Sequence, residues 1–281
     1  MKSSGLIIRT VLFLLLVLPI WLIPSEAFSA DRAFPKFYIE PTFTFLTRNL
    51  VEDAYTIHAP GPIPVDSTSP SVDSIRLLLK LGAEITQNIE MYGLIGGSNM
   101  HIDDLNFQSG VVPAYGGGIR LKMEPGFYPE ERLSLFLDYH YLTYHAEEDG
   151  IAFNPINANT GRYVFLNPSP PFNPQPRNAS EKITWQEHVL KVGVSGRHEL
   201  LEPYGGIQFS FVDASHQVTY PPGGAGQPGG GQLNLDIDED LFFGLFAGIH
   251  IYLDPKERQA IFVELHAIDE DSITLGYRMN F

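Results

Sequence analysis

Two groups of side chains in this sequence are candidates for catalysis. Asp103 and Asp104 are adjacent in the chain, and Asp213 precedes His216 by three positions. A carboxylate beside an imidazole can act as a general base and activate a water molecule. Both groups follow a predicted strand, so we expect both near the same rim of a sheet. The chain carries 33 acidic residues, and acid–histidine neighbours therefore also arise by chance.

A larger set of charged residues recurs on one face of the predicted strands. The set contains both signs of charge, and the opposite face of the same strands is built from Leu, Ile, Val and Phe. Buried charges of opposite sign are tolerated when they pair, so we expect a polar network inside a closed sheet. Its predicted members are Glu40, Arg76, Lys80, Glu84, Arg120, Lys122, Asp138, Glu187, Lys191, Arg197, Glu264 and Arg278.

The composition argues against several other kinds of site. The chain has no cysteine, which removes disulfides, thiol catalysis and cysteine-bound zinc. Its nine histidines form no metal-binding spacing, and we predict neither a metal nor a cofactor. The formal net charge is −15. Because binding a polyanion requires clustered Lys and Arg, this charge speaks against nucleic acid as a partner.

Residues 1–29 have the pattern of a secretory signal peptide. An apolar run at 10–23 follows two basic residues and precedes a segment of small residues. Cleavage after Ala27 and cleavage after Ser29 both fit this pattern. An apolar run of about 14 residues is short for a membrane-spanning helix, which needs roughly 20. The exported domain is therefore predicted to cover 30–281.

An alternation of apolar and polar residues predicts ten strands in the exported domain. Successive side chains of a strand point to opposite faces, so a period of two identifies a strand with two different faces. In the second strand, for example, Ile75, Leu77 and Leu79 alternate with Arg76 and Lys80. The predicted strands cover 37–45, 75–85, 89–100, 119–123, 132–146, 187–197, 204–211, 241–251, 261–266 and 272–281.

The connections between these strands alternate between long and short. Transmembrane barrels have short turns on one side of the membrane and longer loops on the outer side. The final outer connection, 269–271, is short and is the exception to the pattern. The predicted outer loops are 49–73, 103–112, 147–181 and 221–231, and the predicted turns are 87–88, 124–131, 198–203 and 254–257.

The two faces of the strands predict the fold class. A soluble up-and-down barrel is apolar inside and polar outside, but here burial of the charged face in a dry core would cost several kcal/mol per unpaired charge. The sequence has no helical stretch that could cover the apolar face instead. Lipid covers that face most simply, and closure removes the open edges that a bilayer forbids. We therefore predict an all-β, closed, antiparallel up-and-down transmembrane β-barrel.

The end of the chain carries a more specific resemblance. Ile273, Leu275, Tyr277 and Met279 alternate with polar or small residues, and the sequence stops on Phe281. This pattern resembles the closing strand of Gram-negative outer-membrane β-barrels, in which the terminal aromatic is part of what the assembly machinery recognises. The resemblance implies that Tyr277 and Phe281 belong to this assembly signal.

The whole exported domain is similar to the small barrels of the OmpA or opacity-protein type. The resemblance rests on the architecture and on short phrases such as Tyr204-Gly205-Gly206 and Ala247-Gly248-Ile249. Those families more often have eight strands, so eight is the alternative to ten. The resemblance implies a monomer in the outer membrane, with membrane lipid and the barrel assembly machinery as partners.

Three functions fit such a barrel. The first is a non-enzymatic envelope protein with a structural role or with surface recognition through its long loops, where recognition usually resides. The second is a narrow pore. Inward Phe136, Phe246 and Phe262 would narrow the lumen, and inward glycines would leave room for a gap. These glycines are Gly82, Gly118, Gly244, Gly248 and Gly276.

The third function is proteolysis. Ten-stranded omptin-type proteases activate water with acidic residues and a histidine at the outer rim, and the two candidate groups named above would lie near that rim. Their spacing and surrounding residues differ from the omptin pattern. We therefore expect no enzymatic activity, with an outer-membrane peptidase as the alternative.

Overall fold

The fold was analysed in a computed structural model of the chain. It describes residues 35–52, 55–59, 61–65, 69–102, 107–123, 132–154, 164–165, 177–220 and 231–281. The predicted signal peptide, 1–29, lies outside the described residues. Within the described residues, no helix has the length and apolar character needed to cross a membrane.

The described chain forms strands joined by turns and loops. Every strand pairing is antiparallel. In chain order the strands are β1 (Lys36–Glu52), β2 (Tyr55–Ala59), β3 (Gly61–Val65), β4 (Ser71–Thr86), β5 (Ile89–Ser98), β6 (His101–Ile102), β7 (Phe107–Gln108), β8 (Val112–Met123), β9 (Arg132–Asn154), β10 (Val164–Phe165), β11 (Arg177–Arg197), β12 (Leu201–Tyr220), β13 (Gly231–Glu239), β14 (Phe243–Tyr252), β15 (Gln259–Ala267) and β16 (Glu270–Asn280).

Ten of these strands close into a ring. β1 joins its two ends, because Phe43 pairs with Leu77 of β4 on one side and with Leu275 of β16 on the other. The closed all-β barrel of ten strands is confirmed, and the alternative of eight strands is wrong. The order around the ring is β1, β4, β5, β8, β9, β11, β12, β14, β15 and β16.

Several strands extend further than the sequence predicted. β1 continues to Glu52 and β4 begins at Ser71, inside the loop predicted at 49–73. β9 and β11 extend into the loop predicted at 147–181 in the same way, and β12 continues to Tyr220. These parts of the predicted loops are therefore continuations of the barrel wall, whereas β2 and β3 pair with each other in a separate two-stranded sheet.

The added lengths of strand were missed because the two faces exchange polarity. On β12 the outward residues up to Phe211 are apolar, such as Ile207 and Phe211. The next outward residue, Asp213, is polar and exposed. The inward residues change in the opposite sense, and Val212 and Ala214 are buried. The wall is therefore apolar outside in its lower part and apolar inside in its upper part.

The lower part of the wall carries a lipid-facing belt of exposed aliphatic and aromatic side chains. On β4 the belt extends from Ile75 to Ile85, both more than 40% exposed. At ~3.3 Å per residue and a tilt of about 40°, this length corresponds to a height of roughly 25 Å, the height of the apolar band in outer-membrane barrels. Aromatic side chains, including Phe45, Phe211 and Phe242, lie at its upper border.

The upper part of the barrel is filled by an apolar plug. A hairpin of β6 and β7 contributes Phe107, which is fully buried and lies 6.4 Å from the His216 ring of β12. Trp185 and Tyr144 stack at 5.9 Å in the same core. The plug consists of Leu50, Val72, Met100, Ile102, Phe107, Ala114, Leu142, Tyr144, Ala146, Ile183, Trp185, Val212, Ala214 and Ile237.

The short final outer connection has a structural explanation. β15 and β16 end early at the link Ile268–Asp269, and β13 passes above this link. There β13 pairs with β12 through Asp238 and Asp213, and with β1 through Glu239 and Leu50. The ring is therefore closed by β13 in its upper part, where the last hairpin is absent.

Aromatic rings on the inner wall cover glycines on the neighbouring strand. A Cβ added to Gly82 would lie 2.1 Å from the ring of Tyr38, its direct cross-strand partner. Such pairs occur at every second interface around the ring, and we call their five rings the aromatic collar. The other pairs are Tyr92 with Gly118, Phe136 with Gly193, Tyr204 with Gly248 and Phe262 with Gly276.

The collar tests the expectation, made for the narrow pore, that the inward glycines leave a gap in the lumen. At four of the five glycines named for a pore, a ring occupies the space next to the backbone, and at Gly244 the side chain of Asp269 does so. The glycines therefore admit rings into the wall and leave no gap at these positions.

Candidate functional site

The candidate site is the charged interior of the lower barrel. Ion pairs connect the predicted network residues within this interior, and they group at three heights. Arg197 is the exception, because it lies at the periplasmic mouth and pairs with Glu257 at 2.6 Å.

The lowest group is centred on Glu90 of β5. Arg278 reaches Glu90 at 3.3 Å, and Lys80 and Lys122 reach it at 3.7 and 3.6 Å. The hydroxyl of Tyr38 donates a hydrogen bond to the same carboxylate. Only 2% of the Glu90 side chain is exposed, so three cations and a hydroxyl replace its hydration shell.

Glu40 and Glu84 complete this lowest group. Arg278 lies 3.6 Å from each of these carboxylates, and Lys80 lies 3.8 Å from Glu40. The cations also contact the aromatic collar, with Lys80 3.8 Å from the Tyr92 ring centre and Arg278 3.8 Å from that of Tyr38. Cation–π attraction is strongest when water is excluded, so the collar and the ion pairs stabilise each other.

Asp138 of β9 holds Arg120 of β8 in a two-point contact. The guanidinium donates from Nε at 2.7 Å and from Nη2 at 2.6 Å to the same carboxylate oxygen. Tyr92 donates its hydroxyl to the other oxygen at 2.5 Å. Charge-assisted hydrogen bonds of this kind are the stronger ones in proteins, and they connect β5, β8 and β9 across the inner wall.

The middle group joins strands that are not adjacent in the ring. Lys191 of β11 donates to Glu264 of β15 at 2.7 Å. His266 lies beside both partners, with Nε2 2.8 Å from Glu264 and 3.4 Å from Nζ of Lys191, and its Nδ1 lies 3.3 Å from Glu270. Because β12 and β14 lie between β11 and β15 in the ring, this contact crosses part of the lumen.

The highest group lies directly below the plug. Glu187 binds Arg76 at 2.8 Å and Arg48 at 3.3 Å, and it accepts a hydrogen bond from the indole nitrogen of Trp185 at 3.0 Å. Arg48 also binds Glu270. Trp185 belongs to the plug, so this hydrogen bond joins the apolar and the charged parts of the interior.

A cavity of about 150 Å³ remains between the collar and the plug. Charged side chains of both signs line it, together with His140, His250 and His266. Its size corresponds to a few water molecules. All three histidines have the inward parity of their strands, which agrees with their place in the lining.

The sequence analysis missed three central members of the network, Arg48, Glu90 and Glu270. Arg48 lies beyond the end of the first predicted strand, 37–45, and Glu270 lies in the predicted connection 269–271. Glu90 lies in a glycine-rich strand in which the alternation is weak. All three nevertheless have the inward parity of their strands, and strict counting along each strand would have found them.

The candidate catalytic pair Asp213 and His216 is not brought together. Residues three apart in a strand point to opposite faces, and here Asp213 is exposed outside whereas His216 is buried inside. The Nε2 atom of His216 instead lies 3.2 Å from Glu181, with both side chains almost fully buried. Asp103 and Asp104 lie outside the described residues.

Two acidic groups at the upper end of the barrel have altered acidity. Burial raises the pKa of Glu239 on β13, whose carboxylate accepts a hydrogen bond from the backbone NH of Val212 at 2.8 Å. Burial also raises the pKa of Asp269 in the β15–β16 link. Among the residues that the structure describes, no cluster of three His, Cys, Asp or Glu side chains could hold a metal ion.

The ring, the lipid-facing belt and the charged interior together define a class of protein. Only helices and closed barrels satisfy their backbone hydrogen bonds within a bilayer, and an even number of tilted antiparallel strands with an apolar outer band is the form found in outer membranes. The chain is a transmembrane β-barrel of the outer membrane.

Three solved structures with a similar strand arrangement are those of outer-membrane proteins. The outer membrane protease OmpT from Escherichia coli has 12% identity and a TM-score of 0.48, with 90% of this chain and 100% of that chain covered. The outer membrane protein OprG from Pseudomonas aeruginosa has 11% identity and a TM-score of 0.43, with 88% and 95% covered. An outer membrane channel from Pseudomonas putida F1 has 10% identity and a TM-score of 0.32, with 92% and 99% covered.

These proteins include a protease and a channel, and the likeness extends to the strand arrangement alone. No protein-family model matches the chain, and no curated protein matches it significantly.

Proposed function

We propose that the protein is a closed, non-enzymatic barrel that serves envelope structure or surface recognition through its outer loops. The observation that carries this proposal is the apolar plug, whose members are all 3% exposed or less. It fills the upper barrel directly above the ion-paired interior. A rigid wall of this kind is a suitable support for loops that make contacts outside the cell.

The presence of the plug is an argument that the lumen does not conduct ions. An ion that entered from the outer side would lose its hydration shell in an apolar core, which costs several kcal/mol without a partner. Hydrophobic constrictions close channels for this reason. Below the plug, the collar and the ion pairs narrow the lumen and line the 150 Å³ cavity.

Conductance in planar bilayers tests the proposal. The barrel domain, 30–281, is refolded and inserted, and an established porin inserted under the same conditions serves as the positive control. We expect no reproducible unit conductance. Stable conductance steps of uniform size would overturn the proposal in favour of the narrow pore.

The proteolytic alternative is tested on the same preparation. The separation of Asp213 from His216 by the barrel wall disfavours a shared catalytic role for this pair. We expect equal background cleavage of a peptide library by the native barrel and by the Asp103→Ala and His216→Ala variants. Cleavage that either substitution abolishes, without loss of folding, would establish a peptidase.

The proposed partners are outer-membrane lipid and the barrel assembly machinery, and the proposed state is a monomer. Phe281 is 69% exposed at the periplasmic end, and its backbone NH donates to the carbonyl of Phe37 at 2.8 Å. This exposure supports a role of Tyr277 and Phe281 in recognition during assembly. Reduced insertion of a Phe281→Ala variant by purified assembly machinery would agree with that role, and unchanged insertion would contradict it.

A further inference from the structure

A groove of about 550 Å³ crosses the lipid-facing belt at its periplasmic end. It lies on the outer wall of β1, β4 and β5, close to the turn Gln87–Asn88. Apolar side chains and glycine backbone form most of its surface. Its outward lining includes Phe37, Ile39, Leu81, Met91, Gly93 and Phe281.

The groove exists because two neighbouring strands lack outward side chains at one height. Gly93 of β5 pairs directly with Gly117 of β8. A Cβ built on Gly93 would have no atom within 4 Å, so the space beside it is open. Leu81 and Met91 stand at its edges and are 46% and 53% exposed. A second outward pair of small residues, Gly205 of β12 and Ala247 of β14, differs from this one, because a Cβ on Gly205 would lie 3.1 Å from the carbonyl oxygen of Phe246.

The membrane around the belt supplies the occupant. Lipid chains are as apolar as leucine, so burial in the groove gains no hydrophobic free energy. An unfilled recess nevertheless loses dispersion contacts on one side. A flexible acyl chain can follow the recess, whereas the wall of a second barrel is rigid and convex.

We propose that this groove binds one acyl chain of a phospholipid from the periplasmic leaflet. The periplasmic leaflet is the source because the groove lies at the end of the barrel that carries the short turn Gln87–Asn88, and short turns lie on the periplasmic side of outer-membrane barrels. The Phe281 side chain forms one of its walls, so the bound lipid contacts the last residue of the barrel. The groove is thus a built lipid site within an otherwise unspecific lipid surface.

Filling the groove tests the proposal. The native protein and the Gly93→Leu variant are reconstituted in vesicles of phosphatidylethanolamine and phosphatidylglycerol, extracted with detergent and analysed by native mass spectrometry. We expect the native barrel to retain one phospholipid. The fraction of lipid-bound barrel should fall at least about threefold in the variant, because the leucine takes the place of part of the acyl chain. Ala83→Leu fills the groove from β4 and should have the same effect.

The matched control is Ala247→Leu, which adds the same side chain to an exposed outward position of the belt on β14. It should retain lipid as the native protein does. Heat-modifiable gel migration confirms folding of each variant. Equal retention by all variants, or no retention by the native barrel, overturns the proposal. A dimer mass that Gly93→Leu abolishes would identify a second copy as the occupant and would also overturn it.

Discussion

The Glu187→Gln substitution should destabilise the barrel strongly. In the native protein Oε1 of Glu187 faces Arg48 and Oε2 faces Arg76, and the Glu187 side chain is 2% exposed. Glutamine keeps the shape of the side chain and can still accept from Trp185, but it removes the negative charge between two guanidinium groups. Because water has little access to this site, it cannot replace the lost charge.

The magnitude follows from the burial of both partners. Removing one partner of a buried pair costs on the order of 3–5 kcal/mol, since the remaining charge stays desolvated. Arg48 keeps its second partner, Glu270, which places the expected loss near the lower end, at about 3 kcal/mol. A loss of this size changes the unfolding equilibrium by roughly a hundredfold.

Urea unfolding in phospholipid vesicles measures the effect, with circular dichroism and gel migration as the two probes. Trp185 fluorescence is a third probe, because the only other tryptophan lies within 1–29. The control is Glu147→Gln. Glu147 pairs with Lys182 at 3.1 Å with its side chain 62% exposed, and exposed pairs contribute about 0–1 kcal/mol.

The reasoning is refuted if Glu187→Gln and Glu147→Gln shift the unfolding midpoint equally. A further test adds Arg76→Gln to Glu187→Gln. If the two groups stabilise each other, the double variant should lose less stability than the sum of the single variants, because it no longer contains the unpaired Arg76 charge.

Two further predictions concern the upper barrel and the collar. Because burial raises the pKa of Glu239, the folded state binds its proton more tightly than the unfolded chain, and stability should fall as pH rises from the ordinary pKa through the raised one. Asp269 contributes a slope of the same sign, so Glu239→Gln should reduce the slope in urea titrations, and an unchanged slope would contradict a contribution from Glu239. Gly82→Ala places a methyl group against the Tyr38 ring and should cost about 1–3 kcal/mol. Gly93→Ala, which meets open space, should change stability by about 0.5 kcal/mol or less in the same titration, and equal losses would contradict the packing argument.

The sequence by itself predicted ten strands, with eight as the alternative, and it determined the two faces of the lower wall and the membrane as solvent. These features depend on local alternation, because each side chain of a strand points opposite to its neighbour. Arg76 and Lys80 beside Leu77 and Leu79 were sufficient to predict a charged interior. The short turns and long connections then predicted the order of strands around the ring.

Only the tertiary structure decided where the apolar face turns inward. Above Phe45 and Phe211 the strands leave the lipid, so the same alternation continues with its polarity reversed, and local pattern alone does not reveal the height of a residue relative to the membrane. The collar likewise depends on register, which brings Tyr38 beside Gly82 across 44 positions of chain. The closed ring decides which medium each face of a strand contacts and which residues lie opposite one another. The plug and the partners in each ion pair could therefore be identified only from the tertiary structure.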